Sequence, residues 1–208
     1  MNYRQKKKKI KNENRRLIER YPFLIPRNWE GDIPKNYNYL YTKLDDMPRG
    51  WKKSFGVIMC EELREILLKE NMLDDYYFSE VKEKYGRLCI YDNGSNRELQ
   101  DILLKYEYIS EHICIICGKF DVTLFDDGWV CPYCDNCFIE RKKEEHYRYL
   151  DYNERKENPF NKDKAMKFKL DDEPLQTSIH MESMGKNGCK HWDIDLTETI
   201  NKIRKRNL

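Results

Sequence analysis

The sequence predicts an α+β fold: a small helix–hairpin–helix domain with a zinc ribbon built from overlapping cysteine pairs, and polar or basic tails. Three observations predict it. Apolar residues recur at three- and four-residue spacings in two segments, one running from Trp51 to Leu67 and one from Leu99 to Ile109. Two short runs that read as strands lie between them and turn at Gly86. Five of the eight cysteines fall between positions 114 and 137, directly after the second helix.

The elements follow in order. Residues 1–20 hold nine basic side chains against two acidic ones, a local charge of +7 in a chain of net +2, so the remainder sums to −5. Like charges repel, and this arm is expected to be disordered until it meets phosphate or acidic protein. Residues 21–112 form the α+β domain. It opens on an irregular stretch punctuated by Pro22, Pro26, Pro34 and Pro48, with a short strand expected where Tyr37, Tyr39 and Tyr41 alternate. The first helix then carries Trp51, Phe55, Ile58, Met59, Leu63, Ile66 and Leu67 on one face. Strands are expected at Tyr77–Lys82 and Leu88–Tyr91. Ser95 followed by Glu98 reads as a capping box for the second helix, which carries Leu99, Ile102, Leu103, Tyr106 and Ile109. Residues 113–138 are the zinc ribbon. Residues 139–190 are a charged insert, helical or disordered, because residues 138–175 hold ten basic and ten acidic side chains. Residues 191–208 are expected to form a short helix that docks Leu196, Ile200 and Ile203.

Hydrophobic residues make up 39% and charged residues 37%, and mean hydropathy is −0.94. Such a chain buries one modest core. Its longest apolar run, Ile113 to Cys117, is far below the ~18 residues that span a bilayer, and Glu19 and Arg20 interrupt any export signal. A cytoplasmic protein that does not enter membranes is expected.

Clustered cysteines without an export signal point to metal ligation. Cys114-Ile-Ile-Cys117-Gly118 is a knuckle in which two thiolates can face one ion. The second pair is either Cys131 with Cys134 or Cys134 with Cys137, since both spacings fit. His112 is a lesser option. Four thiolates would close the coordination sphere, so a structural zinc is expected and metal-centred hydrolysis is disfavoured.

Several segments carry a resemblance: Tyr21-Pro-Phe-Leu-Ile-Pro-Arg-Asn28, Leu44-Asp-Asp-Met-Pro48 with Gly50-Trp51, Cys60-Glu-Glu62, Lys82-Glu-Lys-Tyr-Gly86, Tyr91-Asp-Asn-Gly94, Cys114 to Gly118, Gly128-Trp129, and Pro132-Tyr-Cys-Asp-Asn-Cys137. With these the chain resembles a family of small, functionally unassigned zinc-ribbon proteins encoded by phages and prophages of low-GC bacteria. The resemblance spans residues 20–138 and the Asp193–Thr199 end. It implies ligand roles for Cys114, Cys117, Cys134 and Cys137, with Cys131 a spare. It brings no activity, but its accessory and host-takeover context implies a protein at work in a host cytoplasm.

Three functions follow as expectations. The first is binding of a host protein, as an inhibitor of a host enzyme or defence nuclease. The second is nucleic-acid binding, through Lys6, Lys7, Lys8, Lys9, Lys11, Arg15 and Arg16 of the arm and the faces of Tyr37, Tyr39 and Tyr41. The third, a metal-dependent nuclease, has thin support. His146 stands alone in a charged run, and His191 with Asp193, Asp195 and adjacent Cys189 is the best local cluster. The paired aspartates, such as Asp45-Asp46, Asp126-Asp127 and Asp171-Asp172, read as solvated surface. No nucleophile elbow, phosphate loop or dinucleotide fingerprint appears, so the reading leans away from an enzyme.

Overall fold

A single apolar stripe organises most of the chain. Trp51, Phe55, Met59, Leu63 and Leu67 line one side of a helical rod and are fully buried. The rod is one α-turn, α2 (Arg49–Trp51), then a π-helical segment at Lys52–Gly56, then α3 (Val57–Lys69). The computed structural model describes residues 1–28, 30–94, 96–170, 174–185 and 188–207. Against the rod packs α4 (Arg97–Ser110), which contributes Leu99, Ile102, Tyr106 and Ile109. Asn96 caps α4 by accepting the Glu98 N–H at 2.7 Å, and the expected Ser95 cap lies outside the described residues.

The hairpin β1 (Phe78–Lys84) and β2 (Arg87–Asp92) closes the second side of this core with Phe78, Val81 and Leu88. Its two-residue turn, Tyr85-Gly86, has φ of 53° and 83°. Both residues at positive φ is the geometry that matches strand twist, and the glycine removes half its steric cost.

The expected strand at Tyr37–Tyr41 does not form. Tyr39 takes φ 61°, which breaks an extended run. Tyr37 and Tyr39 instead sit half-buried against the core with their ring centroids 5.0 Å apart.

The basic arm is not disordered. It is α1 (Tyr3–Arg20), closed at its start by a reciprocal Asn2–Gln5 capping box with both bonds at 2.9 Å. Lys, Arg, Glu and Gln are strong helix formers. Asn14, Leu17 and Ile18 recur at helical spacing and give the helix a docking face. The Asn14 amide donates to the Tyr39 carbonyl at 2.9 Å, Ile18 is buried, and Arg20 pairs with Glu61. Packing outweighs the repulsion among its cations.

The C-terminal prediction holds in its contacts but not in its start. Residues 191–195 belong to a hairpin, β5 (Ser178–Gly185) with β6 (Gly188–Asp195), and the helix α8 begins at Thr197 and runs to Asn207. Leu196, Ile200 and Ile203 are buried in the main core as expected. Glu62 of α3 ties three helices together by accepting hydrogen bonds from Lys105 on α4 and Thr199 on α8. No helix among the described residues is long and apolar enough to cross a membrane.

Candidate metal centre

The cysteine region is a knuckle, a hairpin and a helix in succession. The knuckle, Cys114 to Gly118, closes with the Cys114 N–H donating to the Lys119 carbonyl and the Gly118 N–H to the Cys114 carbonyl. The hairpin is β3 (Thr123–Asp126) with β4 (Val130–Tyr133). The helix is α5 (Asp135–Tyr147). Cys134 is its N-cap residue and Cys137 lies in its first turn. A two-knuckle ribbon is therefore replaced by one knuckle and one helix N-terminus.

This geometry brings Cys114, Cys117, Cys134 and Cys137 together. Their four sulfurs all lie within 4.8 Å of one another, and Cys117 and Cys134 sulfurs are 3.7 Å apart. The described cysteines are all free thiols. Four thiol sulfurs at this separation fit one metal ion, since sulfurs bound at about 2.3 Å stand roughly 3.8 Å apart around a tetrahedron. The N-terminus of α5 lies at this end, and its positive dipole end favours thiolates there. Burial, reinforced by the neighbouring sulfurs of Cys134, Cys114 and Cys117, pushes the Cys137 thiol well up. A cation relieves that penalty and releases protons as it binds.

Cys131 is not part of the cluster. Strand alternation places it opposite Phe125 in the β3–β4 register, facing a second small core with Tyr133, Phe138 and Ala165. Burial pushes its thiol up to about 11. His112 is buried too and is not among the clustered ligands. The choice between the two cysteine pairs thus falls to Cys134 with Cys137.

The finger is not coreless. Phe125 and Phe138 stack with centroids 4.0 Å apart, and Tyr133 packs across them. The charged insert supplies the remaining wall. It forms most of α5, then α6 (Tyr152–Glu157) and α7 (Lys162–Met166), which brings in Ala165. Residues 178–185 and 188–190 of the insert, expected to be helical or disordered, are instead strand in the β5–β6 hairpin. Its continuation then lies along β3, with the Asp126 N–H donating to the Phe168 carbonyl and the Leu170 N–H to the Leu124 carbonyl.

Backbone contacts lock the knuckle to the main core. Gly50 donates its N–H to the Ile115 carbonyl at 2.9 Å. The Trp51 indole donates to the Ile113 carbonyl at 2.9 Å, and Ser54 of the π-helical segment donates to the Gly118 carbonyl at 2.8 Å. From the opposite side, Arg204 of α8 pairs with Asp121 and covers the Phe120 ring.

Asp127 ties the β3–β4 loop to α5. Its side chain is 3% exposed and pairs with Lys142 at 2.7 Å and Arg141 at 3.0 Å. Burial alone would raise its pKa. The Lys142 hydrogen bond and the Arg141 charge outweigh burial and hold the carboxyl below its usual value. Its stabilising effect is therefore complete near neutrality and is lost as pH falls below the unfolded-state value toward the lower folded one. Asp127→Asn should cost about 2 kcal/mol near neutrality, because two partly buried cations lose their buried counter-charge and keep only the more exposed Glu145. Urea unfolding over a pH series should show that cost shrinking below about pH 4.

The other expected site residues are spread out. Lys6, Lys7, Lys8, Lys9, Arg15 and Arg16 line exposed faces of α1, with Lys11 half-buried. Arg15 lies over the Tyr39 ring, and the exposed Tyr41 gives its hydroxyl to Asp46. Tyr37 and Tyr39 are thus engaged in packing rather than presented as a stacking platform. The cluster around His191 also regroups. Asp195 accepts the Thr197 N–H at 2.8 Å, Asp193 faces His180, and the Cys189 side chain lies outside the described part, as does the Asp171-Asp172 pair. His146 meets the Asn158 carbonyl at 2.8 Å. No family model, no curated protein and no solved structure matches the chain.

Proposed function

We propose that the chain is a phage-encoded accessory protein that holds a structural zinc ion and acts by docking on a host protein. Zinc is the ion the donor chemistry favours: four thiolates, tetrahedral spacing and no redox demand. A four-thiolate sphere leaves no position for an activated water, so the proposed role is binding rather than metal-centred catalysis.

One observation carries the docking reading. Tyr85 is 71% exposed and Trp129 is 56% exposed, and their two loops lie side by side. The Trp129 indole donates to Glu83 at 2.9 Å, and a Cβ built on Gly86 would stand 3.3 Å from the Val130 carbonyl oxygen, so the two turns are neighbours. Tryptophan and tyrosine are among the residues that most often dominate protein interfaces, and here both stand on hairpin turns. The resemblance to phage and prophage proteins supplies the bacterial host.

A second reading has its own observation. α1 is an ordered helix of 18 residues with most of its basic side chains exposed, which suits phosphate neutralisation.

Pull-down from host lysate, with and without nuclease, separates the two. The first reading expects one partner that survives nuclease and high salt and is lost in Tyr85→Ala and Trp129→Ala. Capture that disappears with nuclease and with Lys-to-Glu changes on α1 would replace it by the second.

A further inference from the structure

The β5–β6 hairpin carries a second group of metal-ligating side chains, about which the cysteine centre says nothing. The two strands alternate strictly. Ile179, Met181, Trp192 and Ile194 face the main core, and the Trp192 indole donates to Asp101 of α4 at 3.1 Å. The opposite face presents His180 and Glu182 from β5, and His191 and Asp193 from β6. Register places His180 across from Asp193 and Glu182 across from His191. All four side chains are more than half exposed.

Their geometry is convergent. The two imidazole rings are near parallel, with centroids 5.5 Å apart. One oxygen of Glu182 stands 3.2 Å from His191 Nδ1 and 3.6 Å from His180 Nε2. Ligand atoms from His180, Glu182 and His191 all fall within 4.8 Å of one another. Two ligands bound to one ion at about 2.1 Å stand roughly 3.4 Å apart around a tetrahedron. The observed separations bracket that value. Asp193 meets His180 Nδ1 at 2.8 Å, which turns Nε2 toward the group. A carboxylate on the far nitrogen is how metal-binding histidines are commonly held.

We propose that His180, His191 and Glu182 form a second, solvent-facing site for a divalent transition-metal ion, with Asp193 positioning His180. Two imidazoles and one carboxylate suit a borderline cation such as Zn2+ or Ni2+ over Mg2+ or Ca2+. Three protein ligands leave at least one coordination position open for water or for a donor group from a partner. This distinguishes the site from the closed cysteine centre. The hairpin's apolar face fixes the strands, so the ligands converge without further folding. The ion adds a cross-strand link near the hairpin's middle.

The test titrates Zn2+ alone, by calorimetry near neutral pH, into full-length protein already holding one equivalent at the cysteine centre. The wild type should take up a second equivalent. His180→Gln and His191→Gln should abolish that second binding while leaving the first ion and the far-UV spectrum unchanged. Asp193→Asn should weaken it about 10-fold or more, as loss of an orienting partner does. Glu182→Gln, which removes the carboxylate ligand, should also weaken the second binding and leave the first unchanged. Absence of a second equivalent in the wild type overturns the proposal. So does a second equivalent that both histidine variants bind equally well, since the four side chains are then only a network of ion pairs.

Discussion

Removing the proposed zinc should unfold the finger and weaken the core that leans on it. Chelation, Cys117→Ser or Cys134→Ser should leave residues 113–170 open to proteolysis, while the core around α3 and α4 stays protected. Metal affinity in small structural zinc domains amounts to about 10–16 kcal/mol of folding free energy. The loss here should be smaller, because Phe125, Tyr133 and Phe138 form an aromatic core of their own. It should still exceed any single core substitution in the chain. The knuckle would also release the carbonyls of Ile113, Ile115 and Gly118, which bind Trp51, Gly50 and Ser54. Buried polar groups of the rod would lose their partners, so thermal unfolding should begin at lower temperature throughout. Cys131→Ala provides the contrast. It should retain the metal at unchanged stoichiometry and cost about 1–2 kcal/mol for the space it leaves beside the rings. Limited proteolysis with mass-spectrometric mapping, alongside metal analysis, checks both variants.

Gly50→Ala should be nearly as damaging, although it touches neither metal nor apolar core. A Cβ at Gly50 would stand 2.1 Å from the Cys114 carbonyl oxygen and 2.7 Å from the Ile115 carbonyl carbon. Both neighbours are backbone, and neither can swing aside as a side chain does. The knuckle must then lift away from the rod, and three hydrogen bonds go with it. A loss of about 4 kcal/mol or more is expected, which is the range of the most severe single substitutions. Gly128→Ala separates crowding from backbone strain. Gly128 has φ 100° but nothing within 4 Å of its missing Cβ. That variant should cost only about 1–2 kcal/mol. Denaturant midpoints of the two variants measure the difference. Equal losses would mean that the close approach of rod and knuckle does not matter.

Periodicity carried much of the architecture. The stripe from Trp51 to Leu67 and the face from Leu99 to Ile109 are the observed core faces, because each element buries one side against the other. Glycine at the hairpin turn and the docking of Leu196, Ile200 and Ile203 were equally legible. Three features were not. Charge density hid α1, whose docking face is only Asn14, Leu17 and Ile18, too narrow to stand out among nine cations. The segment after Phe138 looked solvated because it contributes single residues, such as Ala165, to a core whose rings lie elsewhere in sequence. The finger's ligand set was ambiguous because a two-residue spacing fits either pair. The decision rests on β4 continuing through Cys131, which turns that sulfur toward Phe125, and on a helix starting at Cys134. The hairpin cluster was half visible. His191 and Asp193 stood out, but Glu182 and His180 join them only through the pairing of β5 with β6. The period-two pattern of Ile179, Met181, Trp192 and Ile194 was the available signal.

X-ray absorption at the zinc edge, on protein given one equivalent of zinc, addresses the four-sulfur centre most directly. Four sulfur neighbours at about 2.3 Å, with no nitrogen or oxygen in the inner sphere, is the expected result. Nitrogen or oxygen ligands in place of sulfur, or a protein that fails to hold one zinc per chain in its reduced form, would contradict it.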